Sequence, residues 1–249
     1  MFGPILRRTM RFAIFGDVHA NLEAFEVVLA DAHDQSCEAH ICLGDVVGYN
    51  ANPRECLERV RLLNCPVVKG NHDDYAASES SLESFNPLAE AAIQWTRDQL
   101  NNEEKKWLAT LPLTLEINGF TIVHATLEDP NSWSYVLNQL DAAASFSRQT
   151  TELCFFGHTH SPRAYIKDSS VVGLSYDLLT LDRGKKYFIN AGSVGQPRDG
   201  DWRAAYIVFD DEKRCVQLRR LQYDLPKAQE KILVSGLPPR LADRLAFGK

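Results

Sequence analysis

Three short apolar runs near the start of the chain each stop at the same kind of polar group, and this repeat narrows the possible folds more than any other feature. Arg11-Phe-Ala-Ile-Phe15 runs into Gly16-Asp17, Ala39-His-Ile-Cys-Leu43 into Gly44-Asp45, and Pro66-Val-Val-Lys69 into Gly70-Asn71-His72. The stops at Asp17, Asp45 and Asn71 lie 28 and 26 residues apart, the repeat of successive β-α-β units. Between them, Asn21 can cap a helix with Leu22, Phe25, Val28 and Leu29 on one face. Pro53 opens a second helix running through Leu63, in the first turn where proline is tolerated. Right-handed crossovers would place all three loops on one edge of a sheet, where α/β proteins bind their ligands.

Residues 75–112 break this rhythm. A polar stretch from Ser78 to Ser84 precedes helical patterns around Ala89–Leu100 and Glu103–Leu108, which we read as a helical insertion. Trp95 and Trp107 in it suit a lid, a dimer surface or plain packing. Strands return at Leu113–Ile117 and Phe120–Val123, joined by Asn118-Gly119, a strong hairpin signal. His124 follows directly, and Leu153-Cys-Phe-Phe156 then runs into Gly157-His158-Thr159-His160. Further strand patterns at Ala164–Ile166, Tyr187–Ile189, Ala204–Phe209 and Cys215–Tyr223 imply a second sheet facing the first. Two helices near Pro226–Val234 and Pro239–Phe247 end the chain. Residues 1–9 are expected to form a flexible extension, and residues 10–249 a single domain whose last strand and two helices occupy about 213–249.

Of seven histidines, His19, His72, His124, His158 and His160 fall at predicted strand ends; His33 and His40 do not and are read as ordinary surface or core residues. Imidazole and carboxylate ligands without thiolate suit Mn, Fe, Zn or Ni better than Ca or a structural zinc knot. The ligands are too many for one metal with an open position. Two divalent ions roughly 3.5–4 Å apart fit the number, an arrangement suited to in-line hydrolysis of a phosphate ester.

Asp17-x-His19, Gly44-Asp45, Gly70-Asn71-His72, His124 and Gly157-His158-x-His160 resemble the motif series of the calcineurin-like metallophosphoesterase superfamily, from Arg11 to about Phe209. The segments Asn190-Ala-Gly-Ser-Val-Gly-Gln-Pro-Arg198-Asp-Gly and Gly236-Leu-Pro-Pro are similar to its small prokaryotic phosphodiesterase branch. The resemblance implies an α/β fold, a four-layer αββα sandwich with two facing mixed sheets. It implies a first metal on Asp17, His19, Asp45 and His160, and a second on Asp45, Asn71, His124 and His158, with Asp45 bridging. His72 would stay off the metals and protonate the leaving oxygen or steady the phosphate. Two dications against two carboxylates leave a local charge of about +2. Its unperturbed pKa of about 6.5 would make His72 a usable acid near neutrality.

The neighbours carry competing readings. Arg198 suits a bidentate phosphate contact or a surface pair with Asp199 or Asp201. Tyr49 and Asn50 line the pocket or form a structural turn; Asn21 is a helix cap. Asp73 and Asp74 read as carboxylates that orient a histidine rather than as ligands. Tyr49 stands where the phosphoprotein phosphatases and symmetrical dinucleoside-tetraphosphatases of the superfamily carry a phosphate-clamping arginine, so a small phosphodiester or nucleotide substrate fits better. A phosphomonoesterase, a dinucleoside polyphosphate hydrolase or a nuclease are the alternatives within the class. A non-catalytic protein-binding scaffold is the alternative outside it.

The net charge of −6 argues against a long nucleic acid as partner. The charge is uneven, with nine basic and three acidic residues from Lys213 onward, which we read as a solvated face. Six cysteines form no Cys-x-x-Cys pair and are expected to be free thiols in a reducing compartment. The first ten residues lack the continuous apolar stretch of a signal peptide, and no run approaches a membrane span. A cytoplasmic protein without membrane contact is expected, with homo-oligomerisation left open.

Overall fold

A computed structural model describes residues 9–83 and 85–249; the expected extension at 1–9 lies outside them but for Thr9. In chain order the elements are β1 (Arg11–Phe15), α1 (Leu22–Asp34), β2 (Ala39–Cys42), α2 (Pro53–Leu62), α3 (Asn71–Ala77), α4 (Pro87–Gln99), α5 (Asn102–Ala109), β3 (Thr114–Ile117) and β4 (Phe120–Val123). They continue as α6 (Gln139–Arg148), β5 (Leu153–Phe156), β6 (Arg163–Lys167), β7 (Val171–Leu174), β8 (Leu178–Thr180), β9 (Lys186–Asn190), β10 (Ala204–Asp210), β11 (Cys215–Leu221), α7 (Leu225–Val234) and α8 (Pro239–Phe247).

One sheet runs β2-β1-β10-β11-β8 and the other β3-β4-β5-β9-β6-β7, each mixing parallel and antiparallel pairs. Strand alternation sorts the core, because successive side chains point to opposite faces. Phe12 and Ile14 meet Phe120, Phe155 and Ile189 between the sheets, while Ala13 and Phe15 join the helical layer of α1, α2, α7 and α8. Cys154, Phe156 and Phe188 face the other way, onto Ala142 and Phe146 of α6. The result is the expected four-layer αββα sandwich. At its centre Phe120 meets Phe12, Phe155 and Phe209 edge-to-face, while Phe12 stacks on Phe209 and Phe155 tilts against it, with centroids 5.4–5.9 Å apart.

Two expectations change. Pro66–Lys69 is no third strand: only a single bridge joins Val67 to Cys42, and the segment is too short to ladder further. Strands β10 and β11 also do not join the second sheet. β10 pairs antiparallel with β1, Phe12 opposite Phe209, so the chain returns to the sheet it started. Periodicity alone does not encode which sheet a strand joins. The segment expected as an insertion packs α4 and α5 onto the same apolar cluster as α1, through Ala89, Ala92 and Leu108. Trp95 donates its indole N–H to the Ser235 carbonyl at 3.1 Å, and Trp107 packs on the same cluster.

Candidate active site

The loops after β1, β2, β4 and β5, together with the start of α3, converge on one buried cluster of Asp17, His19, Asp45, Asn71, His72, His124, His158 and His160. The backbone that holds them is strained. Asp17, His19, Asp45, Tyr49, His158 and His160 all adopt left-handed φ between 46° and 67°, a region that costs most side chains of order 1–3 kcal/mol. Backbone bonds tie the loops together: Asp17 N–H donates to Gly44 O at 2.9 Å and His19 N–H to Asp45 O at 2.9 Å. Gly70 is required here, because a Cβ on it would collide with the Asp45 carboxylate.

Four imidazoles share one arrangement. His19 Nδ1 lies 3.1 Å from Val47 O, His124 Nδ1 2.8 Å from Leu43 O, His160 Nδ1 2.6 Å from Gln196 O, and His158 Nε2 2.8 Å from Trp133 O. A carbonyl accepts only, so each of these nitrogens carries the proton and the opposite nitrogen presents a lone pair. Those lone pairs face inward. His19 Nε2 is 3.0 Å from His160 Nε2, and His124 Nε2 is 3.2 Å from His158 Nδ1. Asp17 Oδ1 lies 3.2 Å from His160 Nε2, and Asp45 Oδ2 lies 3.5 Å from His19 Nε2 and 3.4 Å from His124 Nε2. Asp45 Oδ2 is buried without a hydrogen bond. Facing acceptors around orphaned carboxylate oxygen repel one another unless a cation lies between them, so the residues fit divalent metal.

The donor atoms fall into two groups, Asp17, His19, Asp45 and His160, and Asp45, His124 and His158, with Asp45 in both. Asn71 Oδ1 reaches within 3.3 Å of His124 Nε2, beside the second group. Burial pushes His19, His158 and His160 below the usual imidazole range, His158 to about 3, which keeps their lone pairs available. Burial also acts to lower His124, but the Asp45 carboxylate outweighs it and holds it up at about 9. Without metal, then, a proton occupies the inward Nε2 of His124, and its lone pair faces the cluster only when a metal takes that proton's place.

His72 differs from the other four. Its ring lies 4.8 Å from His19, yet neither ring nitrogen has a hydrogen-bond partner among the described residues, and Nδ1 is buried. No carbonyl fixes its tautomer. Burial pushes it down to about 4, so it is a neutral imidazole at pH 7 in the free protein rather than the ready acid its ordinary pKa would make it.

Around the cluster, Tyr49 is buried with its ring 4.7 Å from His19 and 4.4 Å from His72. Arg198 does not pair with Asp199 or Asp201. Asp199 pairs with Arg220 and Asp201 with Arg203, while Arg198 lies over the Tyr49 ring at 5.6 Å and donates to Gln196 Oε1 at 3.0 Å. Asp73 orients no histidine. Its carboxylate accepts N–H groups from Asp45 (2.8 Å), Val46 (2.9 Å) and Gly70 (3.1 Å), and so shapes the loop instead. Asp74 pairs with Lys69 at 3.1 Å. Asn21 caps α1 through Ala24 N–H, and Asn50 donates to His19 O at 2.7 Å.

Sequence reasoning missed three neighbours. Trp133 supplies the carbonyl for His158, and Tyr135 stacks on that ring at 4.3 Å; the only signal was an aromatic pair in a polar loop. Arg244 of α8 lies over Tyr49 at 5.9 Å, and nothing in its local sequence marks it. Away from the cluster, a cavity of about 920 Å³ is lined by Arg54, Arg61, Glu103 and Glu104. These charges pair with one another.

A two-sheet sandwich with a buried imidazole–carboxylate cluster at its loop edge is a scaffold that can hold metal, and the similarity to known proteins gives its class. Residues 10–214 match the calcineurin-like phosphoesterase superfamily domain. The chain is 40% identical over 242 residues to an uncharacterized protein of Methanocaldococcus jannaschii, covering 95% of this chain and 98% of that one. A crystal structure of a metallophosphoesterase from Sphaerobacter thermophilus superposes with a TM-score of 0.87 at 41% identity, over 97% of this chain and 100% of the other. A hypothetical protein from Pyrococcus horikoshii shares the fold alone, with a TM-score of 0.78 at 18% identity over 96% and 98% of the two chains. The chain belongs to the calcineurin-like phosphoesterase superfamily, and that membership makes it a phosphoester hydrolase.

Proposed function

We propose that the protein is a phosphodiesterase with two divalent transition metals (Mn, Fe, Zn or Ni), working as a single domain over residues 10–249. Asp17, His19, Asp45 and His160 hold one metal, and Asp45, Asn71, His124 and His158 the other. The observation that carries this reading is the set of four imidazole lone pairs turned inward by backbone carbonyls onto Asp17 and Asp45. Bound there, the metals polarise phosphoryl oxygens and lower the pKa of water.

The chain's own residues complete the site. Asp45 lies between the two donor groups, and only a carboxylate offers each an anionic oxygen. Asn71 adds a neutral oxygen that keeps the ligand charge low. His72, with no carbonyl holding its tautomer, is free to donate a hydrogen bond to the phosphate or a proton to the leaving oxygen; a phosphate beside it raises its pKa from about 4. Tyr49 puts a phenol next to the cluster in place of a guanidinium, and Lys69 is occupied by Asp74. With Arg198 over Tyr49 as the guanidinium beside the cluster, the site suits the single charge of a diester better than the double charge of a monoester. Six cysteines without a disulfide suit a cytoplasmic setting.

The test is Mn²⁺-dependent hydrolysis of bis-p-nitrophenyl phosphate against mono-p-nitrophenyl phosphate. Faster turnover of the bis compound is expected. Preference for the mono compound would make the protein a phosphomonoesterase, and no turnover of either with metals loaded would favour a protein-binding scaffold.

A further inference from the structure

An exposed aromatic ring lies against one imidazole of the cluster. Tyr135, in the loop between β4 and α6, stacks on His158 with ring centroids 4.3 Å and planes 22° apart, yet it remains 48% exposed. A large part of its ring thus stays open to water at the edge of a buried site. The loop holds the ring from both sides. Two residues before it, Trp133 takes a left-handed φ of 54°, and its carbonyl accepts the His158 Nε2–H at 2.8 Å. One residue after it, Val136 is buried in the same cluster as Phe146 and Phe156, and its carbonyl accepts the Tyr165 hydroxyl at 3.4 Å. A ring fixed in this way gives up little freedom when another group covers it.

Packing alone does not call for this ring. Tyrosines that serve the core are buried, as Tyr165, Tyr187 and Tyr206 are, and the Trp133 carbonyl already fixes the tautomer of His158. The position of the ring says what it takes. His158 turns Nδ1 into the cluster, 3.2 Å from His124 Nε2, and Tyr135 lies one ring away from it. A phosphate at the cluster therefore has an open aromatic surface beside it, where a planar group carried one sugar away can lie. Bases stack on such a surface whatever their edge pattern, because every base has a π face. We propose that Tyr135 is a specificity-determining residue that stacks on the base of the substrate, so that the substrate is a nucleoside ester rather than an alkyl one. This rests on the reading of the cluster as a phosphoester site. The stack uses the ring and not its hydroxyl, so phenylalanine should serve as well in its place.

The experiment measures the affinity of the Mn²⁺-loaded protein for AMP and for ribose 5-phosphate by calorimetry at fixed excess Mn²⁺. The two ligands carry the same phosphate and differ in the base. Wild type is expected to bind AMP about tenfold more tightly, the scale of one base stacked on an aromatic side chain. Tyr135→Leu is expected to narrow that preference at least fivefold while leaving the affinity for ribose 5-phosphate and the Mn²⁺ content unchanged. Tyr135→Phe should keep the wild-type preference. A wild type without preference, or a Tyr135→Leu protein whose preference narrows less than fivefold, overturns the inference. So does a Tyr135→Leu protein that loses Mn²⁺ or weakens both ligands alike, because the ring then only steadies His158. Hydrolysis of bis-p-nitrophenyl phosphate without AMP preference refutes the stacking residue alone; an AMP preference that Tyr135→Leu removes, in a protein that hydrolyses no phosphoester, refutes the enzymatic reading alone.

Discussion

The Asp73 carboxylate accepts the backbone N–H of Asp45 at 2.8 Å, so one buried acid positions another through the main chain. It also takes N–H groups from Val46 and Gly70, holding the loop in the left-handed turn at Asp45. Asp73→Ala leaves these donors unpaired in a buried site, at about 1–3 kcal/mol for each unsatisfied group. We expect a loss of about 3 kcal/mol or more by urea denaturation and about 10- to 100-fold weaker metal binding. Asp73→Asn, which keeps one acceptor, should lose less of both. Equal losses in the two variants would show that the acceptor does not matter.

The two donor groups predict separable metals. His158→Ala should leave about one equivalent of Mn²⁺ per chain by elemental analysis, and Asp45→Ala should leave little of either. Activity should fall by about 10²–10³-fold with one metal lost, the scale of removing a preorganised charge-stabilising group. Two equivalents retained by Asp45→Ala would remove that residue from the bridge.

His72 has no carbonyl anchor, so its removal should spare the metals. His72→Ala is expected to bind two equivalents yet lose about 10²–10⁴-fold in kcat, the range for general acid–base groups. Full activity with both metals in place would assign the ring to packing against Gly48 and Tyr49.

Away from the site, Arg219 forks onto Asp31 at 2.9 and 2.7 Å, and Tyr206 O–H donates to it at 2.6 Å. Burial raises Asp31, but these donors outweigh it and hold the carboxyl below its ordinary 3.8. A depressed carboxylate stabilises the fold above pH 3.8, and that contribution disappears as pH falls through the folded-state value. Asp31→Asn should therefore cost about 1–2 kcal/mol at pH 7, and the gap from wild type should close towards pH 3. Denaturation curves at the two pH values decide it, since a constant gap would make the effect one of packing.

How much was legible depended on the range of the signal. The βα rhythm up to Asn71 and the His-containing strand ends are local patterns, and they named every member of the buried cluster. Strand patterns implied two facing sheets and the resemblance implied the four-layer sandwich; alternation in β1, β4 and β5, whose faces separate one core from the next, builds it. Local signal ended at pairing. Nothing within 204–210 tells β10 to lie beside β1 rather than in the second sheet, because both neighbours offer the same apolar alternation.

By itself, then, the sequence determined the residue types at the strand ends, the helix starts at Asn21 and Pro53, and the chemistry those residues can perform. Tertiary structure alone decided which nitrogen of each imidazole faces inward, since the carbonyls of Leu43, Val47, Trp133 and Gln196 come from other segments. Of the two readings of Arg198 it removed the pair with Asp199 or Asp201 and set the guanidinium over Tyr49, and it brought Arg244 across from the last helix. A hydrogen-bond partner or a cation over a ring is a relation between distant segments, and spacing along the chain does not carry it.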